Sequence, residues 1–435
     1  MPATQNLPIR TKSEESVKDR RLRIATSTIL ILLLVFATST VFVNQVWAVD
    51  SFQIGIYGLT AIYVLFDLGR GRWNLARGIA PLFVYLIPAW GVLQIAANWT
   101  ASSIETREEV LRWGALAAVF YITQTIARTR SARENLLRVF VSFATVMAVL
   151  CLMQLFTSKG NVLWIFPTGY PDVYATFPNH NNYAEFIEIF LPIVLWWALR
   201  DGKRAWGYAL VAGVLYASVI GGASRAGAII CTAEFLAVLV LGFVLHRRRK
   251  PDRLLHLSTA TLIVVPLLAA GFTFIVGWQR IWDGFKKLDP QVTRREFLLS
   301  AIDMAEHRPL TGYGLGTFPE VYQQHAMKDF SFYANHAHND WAEFAADGGV
   351  PFLLLILIPF AAAVPTAIRH PWGMGLIAVM LHACVDYPFP RPAVSGWMFA
   401  MLALLYMART SDQRQRESAQ STGQERSGRV VEFTR

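Results

Sequence analysis

About twelve stretches of this chain are apolar and long enough, or nearly so, to cross a hydrocarbon layer, and that repetition leaves few folds open. The windows fall at roughly 24–44, 47–67, 79–97, 109–127, 136–156, 183–199, 206–222, 226–245, 255–277, 349–368, 372–387 and 393–409. Inside a bilayer no water serves the backbone, so each span must satisfy its own N–H and C=O groups as a helix. The expected fold is an all-α polytopic membrane protein. Composition agrees: of 435 residues, 54% are hydrophobic and 16% charged, against about 25% charge in an ordinary soluble domain. No cleavable signal peptide is expected, because the first apolar run is long and no small-residue cleavage site leading into a soluble domain follows it.

The formal net charge is +10, but the basic residues lie in short clusters between spans. That distribution sets membrane orientation and points to lipids, with no nucleic acid as partner. Arg10, Lys12, Lys18, Arg20, Arg21 and Arg23 precede the first window. Every second loop is then basic again: Arg70, Arg72 and Arg77; Arg128, Arg130 and Arg133; Arg200, Lys203 and Arg204; Arg247 to Lys250 and Arg253; and Arg369. This alternation puts both termini in the cytoplasm. Residues 1–23 form a basic cytoplasmic segment and 24–409 a transmembrane domain. The tail 410–435, rich in Ser, Gln, Arg and Glu, has the composition of a disordered segment. Cys151, Cys231 and Cys384 fall in apolar runs and are expected to pack as small residues, without disulfides or a cysteine metal site.

Two non-membrane stretches fall on the outer side, at about 157–182 and about 278–348; loops of this length usually carry function. Within the second, Thr293-Arg294-Arg295-Glu296 fits a capping box, predicting a helix with Arg294 and Arg295 in its first turn. Pro309 stops that helix, and Gly312 to Gly316 form a flexible turn. Cations at a helix N-terminus oppose the dipole, a cost that an anionic ligand relieves; lipid headgroups or acidic side chains are the structural alternative. Arg225, among Gly221, Gly222, Ala223, Ser224, Ala226 and Gly227 where two spans meet, is free to grip phosphate bidentately or else to snorkel.

Asn179, His180, Asn181 and Asn182 in the first outer stretch offer amides for sugar hydroxyls, or a cap for the next helix through Asn181 or Asn182. Asn335 to Glu343 carry His336, His338, Asn339 and Asp340 just before a span. Histidine titrates near neutrality and suits the removal of a hydroxyl proton. His336, His338 and Asp340 are weak as a metal site, lacking a third histidine or cysteine fixed nearby, and no metal is assigned. Asn335 or Asn339 is suited to capping the span.

Taken together these segments resemble the O-antigen ligase and O-antigen polymerase superfamily of bacterial membrane glycosyltransferases, at motif level over about 170–355. Arg294 to Gly316 resembles that family's arginine, helix and Pro-x-x-Gly-x-Gly-x-Gly signature. His338-Asn339 followed by Gly349 is similar to its His-Asn motif, with Phe352 where a second glycine is usual. Ser224 to Gly227 resembles its Ser-Arg-Gly motif, with Ala226 and Gly227 where Gly then Ala is common, and Phe177 to Ala184 its Asn-rich segment.

The resemblance implies glycan transfer from a polyprenyl diphosphate onto an acceptor hydroxyl, at the outer face of the bacterial cytoplasmic membrane. No cofactor, nucleotide or required metal is implied. His338 would be the catalytic base; Arg225, Arg294 and Arg295 would bind the donor's diphosphate; Asn179, Asn181, His336 and Asn339 would support the site or bind glycan. The acceptor would be a lipid A-core-like molecule for a ligase, another lipid-linked glycan for a polymerase, or a protein hydroxyl for an O-oligosaccharyltransferase. The rival from another class is a transporter of about twelve spans, which burial of Glu185, Glu188 and Glu234 at the midplane beside an alternating cavity would favour.

Overall fold

The structure is a computed structural model and describes residues 17–43, 45–69, 78–170, 172–249, 259–276, 289–326 and 333–432. Arg10, Lys12, Arg70, Arg72, Arg77, Lys250 and Arg253 of the expected basic loops lie outside the described residues. The order of helices is α1 (Val17–Ser39), α2 (Trp47–Leu68), α3 (Ala80–Ala96), α4 (Ser103–Ile126), α5 (Arg130–Thr157), α6 (His180–Arg200), α7 (Ala205–Gly221), α8 (Arg225–Arg249) and α9 (Thr259–Val276). It continues with α10 (Asp289–His307), α11 (Phe318–Val321), α12 (Asp340–Arg369), α13 (Met374–His382) and α14 (Pro392–Glu432). A two-stranded hairpin, β1 (Asn161–Val162) and β2 (Phe166–Pro167), sits between α5 and α6.

Each expected window falls on a helix. Among the described residues, seven helices (α1, α2, α5, α6, α8, α12 and α14) are long and apolar enough to cross a membrane unaided. Helices α3, α7 and α13 are apolar but shorter. Side-chain caps set several starts: Ser102 accepts from Glu105 N, Thr129 from Ala132 N, Asn179 from Asn181 N and Asn339 from Ala342 N. Each satisfies an amide that has no carbonyl a turn earlier.

Helix α6 and the first half of α14 form the centre of the bundle and are nearly all buried. Lipid is as apolar as leucine, so close packing rather than water exclusion holds such helices together. The packing is aromatic. Trp397 on α14 contacts Phe140, Phe143, Phe186 and Phe190, and its indole N–H donates to Thr38 Oγ1 at 2.9 Å. Trp113 on α4 does the same against Phe344, Phe352, Phe389 and Phe399. At the rim, Leu32, Ile54, Leu65, Val240 and Phe274 are exposed, a surface suited to lipid.

Helix α12 is two helical pieces joined at Gly349, whose φ of 71° and ψ of 178° are open only to glycine. Its N-terminal piece lies under the Gly312–Gly316 turn. Tyr313 N donates to Ala346 O and Gly314 N to Asp347 O, at 3.0 and 2.8 Å; Val350 N donates to Pro309 O at 2.7 Å. Gln94 on α3 ties the same strip down, donating to Thr311 O and Asp347 O and accepting from Leu315 N. The glycine turn expected to be flexible is therefore clamped between α3 and α12.

Two further expectations change. Helix α10 begins at Asp289 rather than Thr293, because Asp289-Pro290 is itself a helix start, so Arg294 and Arg295 sit in the second turn and face no bare N-terminus. Residues 410–432, expected to be disordered, continue α14 as helix to Glu432, in keeping with the helix propensity of their Arg, Gln and Glu. Cys151 and Cys231 are buried as expected, whereas Cys384 is exposed.

Candidate active site

One end of the bundle gathers the N-termini of α6, α8 and α12, the C-terminus of α13 and the second turn of α10. Asp386, in the loop after α13, is the node between them. It is fully buried. Its Oδ1 lies 3.2 Å from His338 Nδ1 and accepts from Tyr387 N at 3.1 Å. Its Oδ2 accepts from Asn181 Nδ2 and lies 3.8 Å from Arg294 Nη2. Arg294 Nη1 also donates to Val385 O at 3.3 Å.

The Ser224–Gly227 segment joins the node through Asn181. Ser224 Oγ donates to Asn181 Oδ1 at 2.8 Å and accepts from Gly227 N at 3.1 Å. Gly227 has no room for a Cβ, which would run into Ala184 on α6. Two short motifs from different parts of the chain are thus locked by one hydrogen bond and one close approach, with Arg225 between them. The charges of both Arg294 and Arg225 bear on the His180 ring.

Burial alone would push the Asp386 carboxyl up. The His338 hydrogen bond and the charge of Arg294 outweigh it and hold the group below the usual aspartate range. An ionised carboxylate facing Nδ1 takes its proton as a donor, leaving Nε2 as the basic nitrogen. The His338 ring is also held edge-on to Tyr387, 4.9 Å between centroids, and its backbone is left-handed with φ 53°.

A cleft of about 420 Å³ opens beside the node, lined among others by Asn179, His180, Asn182, Arg294, Tyr387 and Arg391. Of the expected diphosphate ligands, Arg294 lines it. Arg225 lines neither cavity described here, although its charge bears on His180, which lines the cleft; Arg295, exposed, lines neither. His338 lines neither cavity described here, but its ring meets Tyr387, which lines the cleft.

The supporting residues divide in use. Asn179, not Asn181 or Asn182, caps α6, while Asn181 is spent on Asp386. Asn339 caps α12 and donates to Cys384 O at 2.7 Å. His336 stacks on Tyr387 with centroids 4.4 Å apart, and its Nδ1 lies 2.9 Å from Glu343 Oε1. It faces a second cavity of about 290 Å³ with Glu105, Glu109, Arg112, Glu343 and Asp347. His336, His338 and Asp340 turn to Glu343, Asp386 and Phe389 N respectively, so they do not converge as a metal site.

Asp386 and Arg391 were not singled out from the sequence. An available signal was Asp386 inside an apolar window with Pro388 and Pro390 just beyond, an ionisable residue where a span has to end.

Residues 210–357 match the family model described as O-antigen ligase. The match runs from α7 into the second piece of α12 and takes in Ser224–Gly227, Arg294, Gly312–Gly316 and His338. Over that stretch the chain, a polytopic helical membrane protein, is similar to the O-antigen ligase family. Asn181 and Asp386 lie outside it, on either side. No curated protein matches the chain.

Proposed function

We propose that this protein moves a glycan from a polyprenyl diphosphate carrier onto an acceptor hydroxyl at the outer face of the bacterial cytoplasmic membrane. The observation that carries the reading is the Asp386 node, which joins a correctly oriented histidine to an arginine lining a cleft. His338 Nε2 takes the acceptor's proton as its oxygen attacks the anomeric carbon. The bond from that carbon to the diphosphate oxygen breaks, and the charge released is met by Arg294 in the cleft and by Arg225, whose charge bears on His180 there. Direct displacement inverts the anomeric centre, and the step as written uses no metal or nucleotide. The carrier's tail stays in lipid while its head enters the cleft, whose volume suits a diphosphate with its first sugar.

A ligase, a polymerase and a protein O-oligosaccharyltransferase share this step and differ in the acceptor. The first of these is favoured by the description of the matched family. Glu185, Glu188 and Glu234, the residues that would argue for transport, are buried but line neither cavity described above. The test incubates the purified full chain with a lipid-diphosphate glycan and candidate acceptors, comparing wild type with His338→Ala and Arg225→Ala. Both variants are expected to lose transfer; undiminished transfer by His338→Ala refutes the base assignment.

A further inference from the structure

Two buried side chains that the transfer step does not use, Glu185 and His382, lie beside Asp386. Glu185, His382 and Asp386 each place a ligand atom within 4.8 Å of the other two, and all three side chains are fully buried. They come from three places: the second turn of α6, the last turn of α13 and the loop after it. We propose that these three residues hold a divalent transition-metal cation such as Mn²⁺ or Zn²⁺.

Three observations carry this. First, the atoms facing inward are without partners. Among the described residues neither Glu185 Oε1 nor His382 Nε2 has a hydrogen-bond partner, although both are shut off from solvent. Buried polar atoms of that kind are rare in folded proteins and ask for an explanation. Glu185 Oε2 is occupied, accepting from Asn182 Nδ2 at 2.9 Å. Asp386 Oδ2 keeps a lone pair, since Arg294 at 3.8 Å is beyond hydrogen-bond range.

Second, His382 is oriented as a metal-bound histidine is. Its Nδ1 lies 2.8 Å from Glu188 Oε1, itself buried. A carboxylate there takes the Nδ1 proton, which leaves the unpartnered Nε2 to bind a cation. Such carboxylate–histidine pairs are the usual support behind a metal-ligating imidazole.

Third, three carboxyl groups, those of Glu185, Glu188 and Asp386, are buried around one imidazole, and a cation among them offsets their mutual repulsion. One imidazole and two carboxylates suit Mn²⁺ or Zn²⁺ better than Ca²⁺ or Mg²⁺, which prefer all-oxygen sites. Ligands on one ion with bonds of about 2.1 Å sit about 3.4 Å apart, so small side-chain rotations close the site. The ion would position Asp386, and through it His338, without touching donor or acceptor.

The proposal stands independently of the transfer reading, and its test reads metal rather than turnover. The purified full chain is stripped with chelator, and Mn²⁺ binding is followed by electron paramagnetic resonance, with Zn²⁺ content by elemental analysis. About one ion per chain is expected for wild type, with binding lost in His382→Gln and in Glu185→Gln. Glu188→Gln is expected to weaken binding about 10- to 100-fold without abolishing it. Asp303→Asn, which disables the separate Asp303, His307 and His325 group on the outer loop, is expected to leave it intact. Wild type that retains neither metal, or binding that survives both His382→Gln and Glu185→Gln, overturns the proposal. So does binding lost only in Asp303→Asn. Melting curves confirm that each variant is folded, and the isosteric Glu185→Gln serves where His382→Gln is not.

Discussion

Replacing Asp386 by asparagine changes one atom at the centre of the site. Both carboxylate oxygens face donors: Tyr387 N and His338 Nδ1 at Oδ1 and Asn181 Nδ2 at Oδ2, with the Arg294 charge 3.8 Å from Oδ2. An amide offers one oxygen and one NH₂, so it meets donors with a donor whichever way it turns. If NH₂ faces His338, Nδ1 must accept, and the ring proton moves to Nε2, where it blocks base catalysis. If NH₂ faces Asn181 and Arg294, the tautomer survives, but a buried donor clash costs about 1–3 kcal/mol and the charge that steadies the imidazolium is gone. The first orientation removes the base altogether; an equivalent exchange in a serine-protease triad lowers turnover by about 10⁴. The second gives up a charge-assisted hydrogen bond of about 1.5–3 kcal/mol, or about 10- to 100-fold.

Asp386→Asn is therefore expected to lower the single-turnover rate of glycan transfer by about 10- to 10⁴-fold, according to which way the amide turns. Donor binding should be unchanged or tighter, because Arg294 no longer shares its charge with a carboxylate. The assay is single turnover of a polyprenyl-diphosphate glycan by saturating enzyme, with donor affinity measured separately. A rate within about threefold of wild type would mean that Asp386 does not set the His338 tautomer.

Three other outcomes follow from the same geometry. Arg294→Ala should weaken donor binding by about tenfold or more while Arg295→Ala changes it by less than about twofold, since one lines the cleft and the other does not; equal effects in titrations of each variant would contradict the placement. Gly312→Ala should lower the melting temperature, because its φ of 63° is strained for alanine by about 1–3 kcal/mol and a Cβ there collides with the Asp347 backbone; an unshifted melt would show that the clamp is dispensable. The folded Asp386 pKa lies below its unfolded value of about 3.9, so its ionisation stabilises the fold above that pH, and the benefit fades as pH falls through the lower folded value. The difference in melting temperature between wild type and Asp386→Asn should accordingly narrow only below about pH 4; narrowing at neutral pH would exclude the assignment.

Much of the site was legible because its residues are costly where they stand. His338, Arg294 and Asn181, polar groups beside or between apolar runs, each reach the node, and Ser224, next to Arg225, joins it through Asn181. Asp386 was not, for a physical reason: apolar windows average over a helix length, and the 372–387 window ran through it, whereas α13 stops at His382. Arg295 shows the opposite error. Read from a capping box it shared its neighbour's role, but adjacent helical residues project about 100° apart, and of the two only Arg294 lines the cleft. Asn179 and Asn181 were interchangeable by residue type; only the approach of α13's end to α6 gave one the cap and the other the carboxylate. Partners two hundred residues away are not written in local pattern.

The left-handed backbone at His338 has a practical consequence for anyone wishing to capture the loaded enzyme. Alanine at that position removes the imidazole and must also hold a φ of 53° that its Cβ disfavours, so an inactive His338→Ala protein mixes lost chemistry with a loosened loop. Asparagine visits that region readily and keeps a polar atom facing Asp386. His338→Asn is thus the better trap: a chain with no base, whose cleft and arginine remain in place to hold an uncleaved donor.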